Sequence, residues 1–214
     1  MPYLHDLPKA LQKLLHYRRV HRLKVFMSNF ALPASPSVID IGCGIDGRSF
    51  SDHVSKDWNI VGVDLHDESK VMHIHPKFTY VRGSCCDLGM FKDNEFDLAV
   101  SVGMLEHIKG DDYRRSVSEI IRVARSFMVV VPWRFAIVEP HFGVPFFGAL
   151  PHQLQEFIIA KVLHRDNADA HIEYFRNNFE WRSVEQYKRD FPGAKVVLSP
   201  TLDTMAIIGG DFLK

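Results

Sequence analysis

Val38-Ile39-Asp40-Ile41-Gly42-Cys43-Gly44 runs from an apolar segment straight into glycines, and its reading decides the fold. A short β-branched run that stops at paired glycines is a buried strand followed by a tight turn. Gly42 and Gly44 let the backbone turn sharply and approach a ligand with no Cβ in the way. A strand, a glycine loop and a helix start in that order, through Phe50, would aim the backbone amides of 42–47 into a crevice at the strand's carboxyl end. That is where open α/β sheets bind ligands.

Outward from this stretch the chain alternates. Near-continuous apolar runs at 37–41, 59–64, 78–82, 96–102 and 127–132 read as strands covered on both faces. Stretches between most of them read as helices, clearest at 113–125, where Val117, Ile120, Ile121 and Ala124 share one face. Strand–helix alternation implies a largely parallel sheet. Two last runs, 194–199 and 205–209, are too close for a parallel crossover and should pair as an antiparallel hairpin. The expected architecture is an α/β, doubly wound, seven-stranded and mainly parallel sheet with a terminal antiparallel hairpin. One domain, 1–214, divides into a helical leader (1–36), a core (37–133), a cap insertion (134–180) and a last helix with the hairpin (181–214). Within the leader, 8–30 place Leu11, Leu14, Leu15 and Val20 at helical spacing, and 31–37 form a linker.

With 46% apolar and 12% aromatic residues, 214 residues bury one sizeable core. The 26 basic and 26 acidic side chains cancel, which removes any electrostatic reason to expect nucleic acid or an anionic membrane as partner. Cys85 and Cys86 are adjacent and awkward to bridge, and with Cys43 they form no CxxC pair, so a reducing, cytoplasmic setting is expected. Residues 1–24 mix Leu with His, Lys and Arg and lack the apolar run of a signal peptide or membrane span.

Gly42-Cys43-Gly44-Ile45-Asp46-Gly47 is literally GxGxxG, a weak signal for a nicotinamide or flavin nucleotide. Asp40 argues otherwise. A carboxylate at the tip of the first strand suits a ligand carrying ammonium and sulfonium charge, not a pyrophosphate. Asp64, about 20 positions beyond Gly42, ends the second strand where an acidic side chain accepts from both hydroxyls of a ribose.

Asp40-Ile41-Gly42-Cys43-Gly44, Val63-Asp64-Leu65, Phe96-Asp97-Leu98-Ala99-Val100-Ser101 and Met104-Leu105-Glu106-His107-Ile108 together resemble the successive motifs of the class I methyltransferases, particularly the small-molecule branch called type 11. The likeness covers about 37–132, with a weaker match in the final hairpin. It implies a Rossmann-like methyltransferase fold and S-adenosylmethionine as cofactor, with Asp40, Gly42, Cys43 and Gly44 around its methionine part, Asp64 on the ribose and Leu65 on the adenine. The family's Gly-Asp at the third strand's end is replaced here by Gly83-Ser84-Cys85-Cys86-Asp87, so Ser84 or Asp87, with the amide of Cys85, takes the adenine contacts. Its third glycine stands where Asp46 is, and Gly47 follows instead. Ser101 and Val102 would line the methyl-transfer site, with Leu105 and Glu106 beneath the cofactor.

Displacement at a sulfonium needs alignment in a dry pocket, and a hydroxyl acceptor also needs a base. The candidates are His141 first and His107 second, then His152 and the carboxylate of Glu139. The cap is otherwise apolar, with Phe135, Phe142, Val144, Phe146, Phe147 and Leu150 ahead of a helical stretch through Leu154, Phe157, Ile158 and Val162. It suits a lid over a small, apolar or aromatic substrate, and Arg134 stands ready for an acidic substrate group. His73-Ile74-His75 offers two imidazoles but no partner at ligand spacing, so no metal site is expected. Two other readings are open: a nicotinamide-dependent oxidoreductase, and a non-catalytic cofactor-binding regulatory module.

Overall fold

The computed structural model describes residues 9–46, 50–139, 141–163 and 167–214, without the side chains of 9–15 and 163. Seven strands form one sheet: β1 (Ser37–Ile41), β2 (Asn59–Asp64), β3 (Phe78–Arg82), β4 (Phe96–Val102), β5 (Ala124–Pro132), β6 (Lys195–Leu198) and β7 (Thr204–Gly210). Their order is β3-β2-β1-β4-β5-β7-β6. β1 to β5 are mutually parallel, and β7 pairs antiparallel with both β5 and β6. The chain reverses direction across the sheet between β1 and β4, which makes their carboxyl ends the switch point where such sheets open a crevice.

The sheet buries both faces, which is why its strands read as apolar runs. On one face, Val38, Leu98, Val100, Met128, Val130, Ala206 and Ile208 pack against Leu23, Phe26 and Phe30. Leu23 and Phe26 belong to α1 (Lys9–Met27). Each such side chain contributes about 1.5–3 kcal/mol when fully buried. These two lie beyond the Leu11–Val20 stripe on which the leader's amphipathic reading rested; of that stripe, the side chains of Leu11, Leu14 and Leu15 fall outside the described residues, and Val20 is half-buried. α1 is also fixed to the β6–β7 connection, where Arg22 Nη1 lies 3.3 Å from a carboxylate oxygen of Asp203.

On the other face, Ile39, Ile41, Ala99, Val129 and Ile207 pack against α2 (Gly110–Val123) through Tyr113, Val117 and Ile120, and against Tyr187 of α5 (Val184–Asp190). The helix expected at 113–125 thus stops at Val123. Ala124 is buried and pairs with Phe96, so strand pairing claims a residue that helical periodicity assigned to α2.

Fewer helices cover the sheet than the alternation suggested. Among the described residues the β1–β2 and β2–β3 connections hold only single 3₁₀ turns, Ser51–His53 and Glu68–Lys70. α1 covers one face of the sheet through Leu23 and Phe26. The 134–180 segment folds on itself as α3 (His152–Ile158), a π-helical continuation Ile159–Leu163 and α4 (Ala168–Asn178), around Phe147, Ile159, Phe175 and Phe179.

Candidate functional site

Of the seven buried side-chain polar atoms without a hydrogen-bond partner among the described residues, five belong to Asp40, Ser101 and Glu106. A buried polar group left unpaired is unfavourable, and several gathered together mark a place built for a ligand. Asp40 is in β1, Ser101 in the adjacent β4, and Glu106 in the 3₁₀ turn Leu105–His107 that follows β4. All three therefore sit at the switch point.

Asp40 is fully buried, and burial, reinforced by the charges of Asp64 and Asp52, pushes its carboxyl up to about 7. A cation at this spot would restore its ionisation. Gly42 and Gly44 have φ of 75° and 69°, in the left-handed region that favours glycine. A Cβ on Gly42 would lie 2.6 Å from Met104 Cγ, whereas one on Gly44 would meet nothing within 4 Å. Gly42→Ala should therefore lower stability by about 1–3 kcal/mol through strain and that clash. Denaturant unfolding measures this, and an unchanged midpoint would show that the loop has room to spare.

Of the loop amides expected to face the crevice, those of Gly42, Cys43 and Gly44 are turned to the end of β2 instead. Gly42 and Cys43 donate to Val63 O at 2.8 and 3.3 Å, and Gly44 donates to Asp64 Oδ2 at 2.8 Å. Buried donors must be satisfied, and the end of β2 satisfies them. Cys43 is turned inward with its thiol toward Gly44 O, and burial raises its pKa. Gly47 lies outside the described residues, and Asp46 is half-buried in the loop.

Asp64 at the end of β2 also accepts from His66, whose Nδ1 is 2.6 Å from Oδ1, and so reaches a ligand only with its remaining lone pairs. Leu65 beside it is 68% exposed, a flat apolar surface ready for a ring. At the end of β3, Ser84 Oγ accepts from Cys86 N at 3.2 Å and Asp87 Oδ1 from Gly89 N at 3.1 Å, so both candidate adenine contacts hold a local turn. Cys85 packs toward Ser116 and Cys86, and its thiol is pushed up to about 11, chiefly by burial. Val102, half-buried, packs toward the α1-side core, on the opposite face of β4 from Ser101.

Glu106 is 2% exposed, and burial raises its carboxyl to about 7 against the opposing pull of His141. His141 Nε2 lies 3.6 Å from Glu106 Oε1. Glu139, fully buried, fixes His141: Oε2 accepts from the backbone N–H groups of His141 and Phe142, both at 2.6 Å, and Oε1 is 2.8 Å from His141 Nδ1. Burial opposes the imidazolium, but the hydrogen bond and charge of Glu139, with Glu106, outweigh it and hold His141 above its usual range. Glu139 is thus the anchor of His141 rather than a rival base.

His107 lies edge-on to His141, ring centres 5.4 Å apart, with Nδ1 2.7 Å from Asn178 O; burial lowers its pKa. Glu180 N donates to Glu106 O at 2.9 Å, which docks the end of the 134–180 segment onto this turn. His152 is exposed, with Nδ1 3.1 Å from Glu156 Oε1, and Arg134 donates to Gly148 O. His73 and His75 turn to Ser51 Oγ and Ser55 O rather than to a common point. Spacing along the chain joined no metal-ligating set, yet Glu106, His107 and His141 bring their ligating atoms within 4.8 Å of one another. Glu139 as anchor was missed because Glu139-Pro140-His141 shows the pairing only once folded.

Residues 39–127 match the family model described as a methyltransferase domain. Within those residues the chain carries an S-adenosylmethionine-dependent methyltransferase domain. No curated protein sequence matches it. Among solved structures, a chain of the Haloferax volcanii complex between the Trm112 methyltransferase activator and a methyltransferase is 14% identical, with a TM-score of 0.58 over 98% of this chain and 96% of that one. An S-adenosyl-L-methionine-dependent methyltransferase of Methanococcus maripaludis is 18% identical, with a TM-score of 0.57 over 99% and 93%. Haemonchus contortus phosphoethanolamine N-methyltransferase 2, solved with phosphomonomethylethanolamine and S-adenosylhomocysteine, is 17% identical, with a TM-score of 0.53 over 82% of this chain and 38% of that one.

The methyltransferase's own residues fit this cofactor. Its unpaired, buried Asp40 suits a cationic amino-acid end, and Gly44 leaves open space beside it. A pyrophosphate would need the amides of Gly42, Cys43 and Gly44, which β2 already occupies. The match of residues 39–127 to a methyltransferase domain sets the nicotinamide reading aside.

Proposed function

We propose that this methyltransferase methylates a small-molecule acceptor bound beneath the 134–180 segment, with His141 taking the acceptor's proton. The observation that carries the reading is the Glu139–His141 pair. The buried carboxylate of Glu139 accepts from Nδ1–H, so the lone pair is on Nε2, directed toward Glu106 at the switch point. Bound S-adenosylmethionine supplies an electrophilic methyl group on a sulfonium. Asp40, Gly42 and Gly44 hold its methionine part, Asp64 and Leu65 its nucleoside, and Ser101 and Glu106 border the reacting centre. His141 would take the proton of a hydroxyl acceptor held in line with that methyl group, which frees the acceptor's oxygen pair for the transfer.

A small acceptor with an apolar or aromatic body fits the surroundings of His141, where Phe142 and Phe179 pack around the imidazole. Helices α3 and α4 act as the lid that excludes water. The formal net charge of zero gives the chain no overall field that would draw in a polyanion. Free Cys43, Cys85 and Cys86 suit the reducing cytoplasm, and no helix among the described residues is long and apolar enough to cross a membrane.

The test is to incubate the chain with methyl-tritiated S-adenosylmethionine and a cell extract separated by size. Label should pass from S-adenosylmethionine to a different small molecule, resolved from the unreacted cofactor by chromatography. Label confined to protein or RNA overturns the reading of the acceptor.

A further inference from the structure

Glu106, His107 and His141 also have the makings of a metal site, formed by residues that come from two different stretches of chain. Their ligating atoms lie within 4.8 Å of one another. A backbone carbonyl can only accept, so the 2.7 Å contact of His107 Nδ1 with Asn178 O puts the proton on Nδ1 and the lone pair on Nε2. The 2.8 Å contact of His141 Nδ1 with Glu139 does the same, and Glu139 is itself locked by two backbone N–H groups. Both imidazoles are therefore held in the tautomer that a metal-ligating Nε2 requires, each by an outer oxygen acceptor, as metal-bound histidines usually are.

The third member is a carboxylate that lacks a hydrogen-bond partner at either oxygen and is 2% exposed. His141 Nε2 stands 3.6 Å from its Oε1, beyond hydrogen-bond reach. Two ligands about 2.0–2.1 Å from a tetrahedral ion lie roughly 3.3 Å apart, so a shift of a few tenths of an ångström would bring this pair onto a common cation.

We propose that Glu106, through one carboxylate oxygen, and His107 and His141, through Nε2, bind one divalent transition-metal cation of the zinc class, with Glu139 and the Asn178 carbonyl as its outer supports. Three protein ligands leave a fourth position open. Resting on the reading above, that position faces the acceptor, and proton and cation are alternative occupants of the His141 lone pair. In the loaded protein a hydroxyl acceptor bound at the open position loses its proton to water, because coordination makes it more acidic.

The test uses the full chain, stripped with a chelator and titrated with Co²⁺ alone while its visible d–d absorption is followed. One equivalent of Co²⁺ should give bands typical of mixed nitrogen and oxygen ligation, and Zn²⁺ should abolish them. Glu106→Gln should weaken binding at least about 100-fold. Glu139 itself touches no cation, and Glu139→Gln should weaken binding about 10- to 100-fold by moving the His141 proton onto Nε2. Retained binding of S-adenosylhomocysteine shows that each variant is folded; should Glu106→Gln fail that check, His107→Phe replaces it. Absence of the bands in a chain that binds S-adenosylhomocysteine overturns the site, as do bands that neither variant changes. The tritium experiment, run in chelator, reads the acceptor separately, so either proposal can fail without the other.

Discussion

Asp40→Asn should weaken binding of S-adenosylmethionine about 10- to 100-fold and, in the same protein, stabilise the cofactor-free fold above neutral pH. The two effects have one cause. Asp40 is fully buried, neither of its oxygens has a partner, and its carboxyl is pushed up to about 7, by burial first and by Asp64 and Asp52 second. In the unfolded chain the same group ionises near 3.8. A carboxyl whose folded value is raised contributes stability that is fully present below about pH 4 and is lost as pH climbs through about 7. Three units of difference correspond to on the order of 4 kcal/mol. The asparagine variant is free of that loss, so its unfolding free energy should match the parent's at pH 4 and exceed it at pH 8.

The parent should recover when cofactor is added. A cation beside Asp40 makes the ionised form favourable, and a hydrogen bond to a charged group is worth about 1.5–3 kcal/mol, which sets the expected loss of affinity. Thermal unfolding across pH 4–8, with and without S-adenosylmethionine, and calorimetric titration of both proteins check this. Equal pH dependence in the two would mean that burial does not hold Asp40 un-ionised, and unchanged affinity that Asp40 faces no cation.

The tension at Asp40 also shows what a linear reading can and cannot reach. Val38, Ile39 and Ile41 announce a strand because two covered faces force an apolar run, and an acidic residue among them stands out against it. The β6–β7 hairpin was legible because the short separation of its strands forbids a parallel return. Coverage of the sheet was less so: Leu23 and Phe26 sit among basic residues whose polar faces obscure the stripe, and only docking shows that they bring α1 onto one face of the sheet. The amides of Gly42–Gly44 were read as ligand donors because a sequence does not show that Val63 O and Asp64 Oδ2 claim them first. Glu106 and His141 had each been singled out, but their approach to 3.6 Å depends on how the 134–180 segment docks, through Glu180 and Asn178, onto the turn after β4.

In chelator-treated protein, His141→Asn should lower kcat/KM about 10²- to 10⁴-fold while leaving affinity for S-adenosylhomocysteine within a small factor, since a proton acceptor contributes that much to the barrier and nothing to cofactor binding. The pH profile distinguishes this from a merely structural role. His141 must be neutral to take a proton, so the parent's rate should rise with pH through the imidazole's own value. Glu139 and Glu106 hold that value above the ordinary 6.5 in spite of burial. The variant should lack this limb.

Glu139→Gln gives the sharper result, because it keeps the ring and changes its proton. One amide oxygen still accepts the backbone N–H groups of His141 and Phe142 that Oε2 serves now, but the amide nitrogen that replaces Oε1 donates to Nδ1 instead of accepting from it. The proton is then forced onto Nε2, the nitrogen that faces Glu106, and the lone pair needed for the reaction is gone. The expected outcome is a loss of kcat approaching that of His141→Asn in a protein with the parent's fold and cofactor affinity. A Glu139→Gln protein with full kcat and an unmoved acidic limb would remove His141 from the reaction and leave the pair as packing alone.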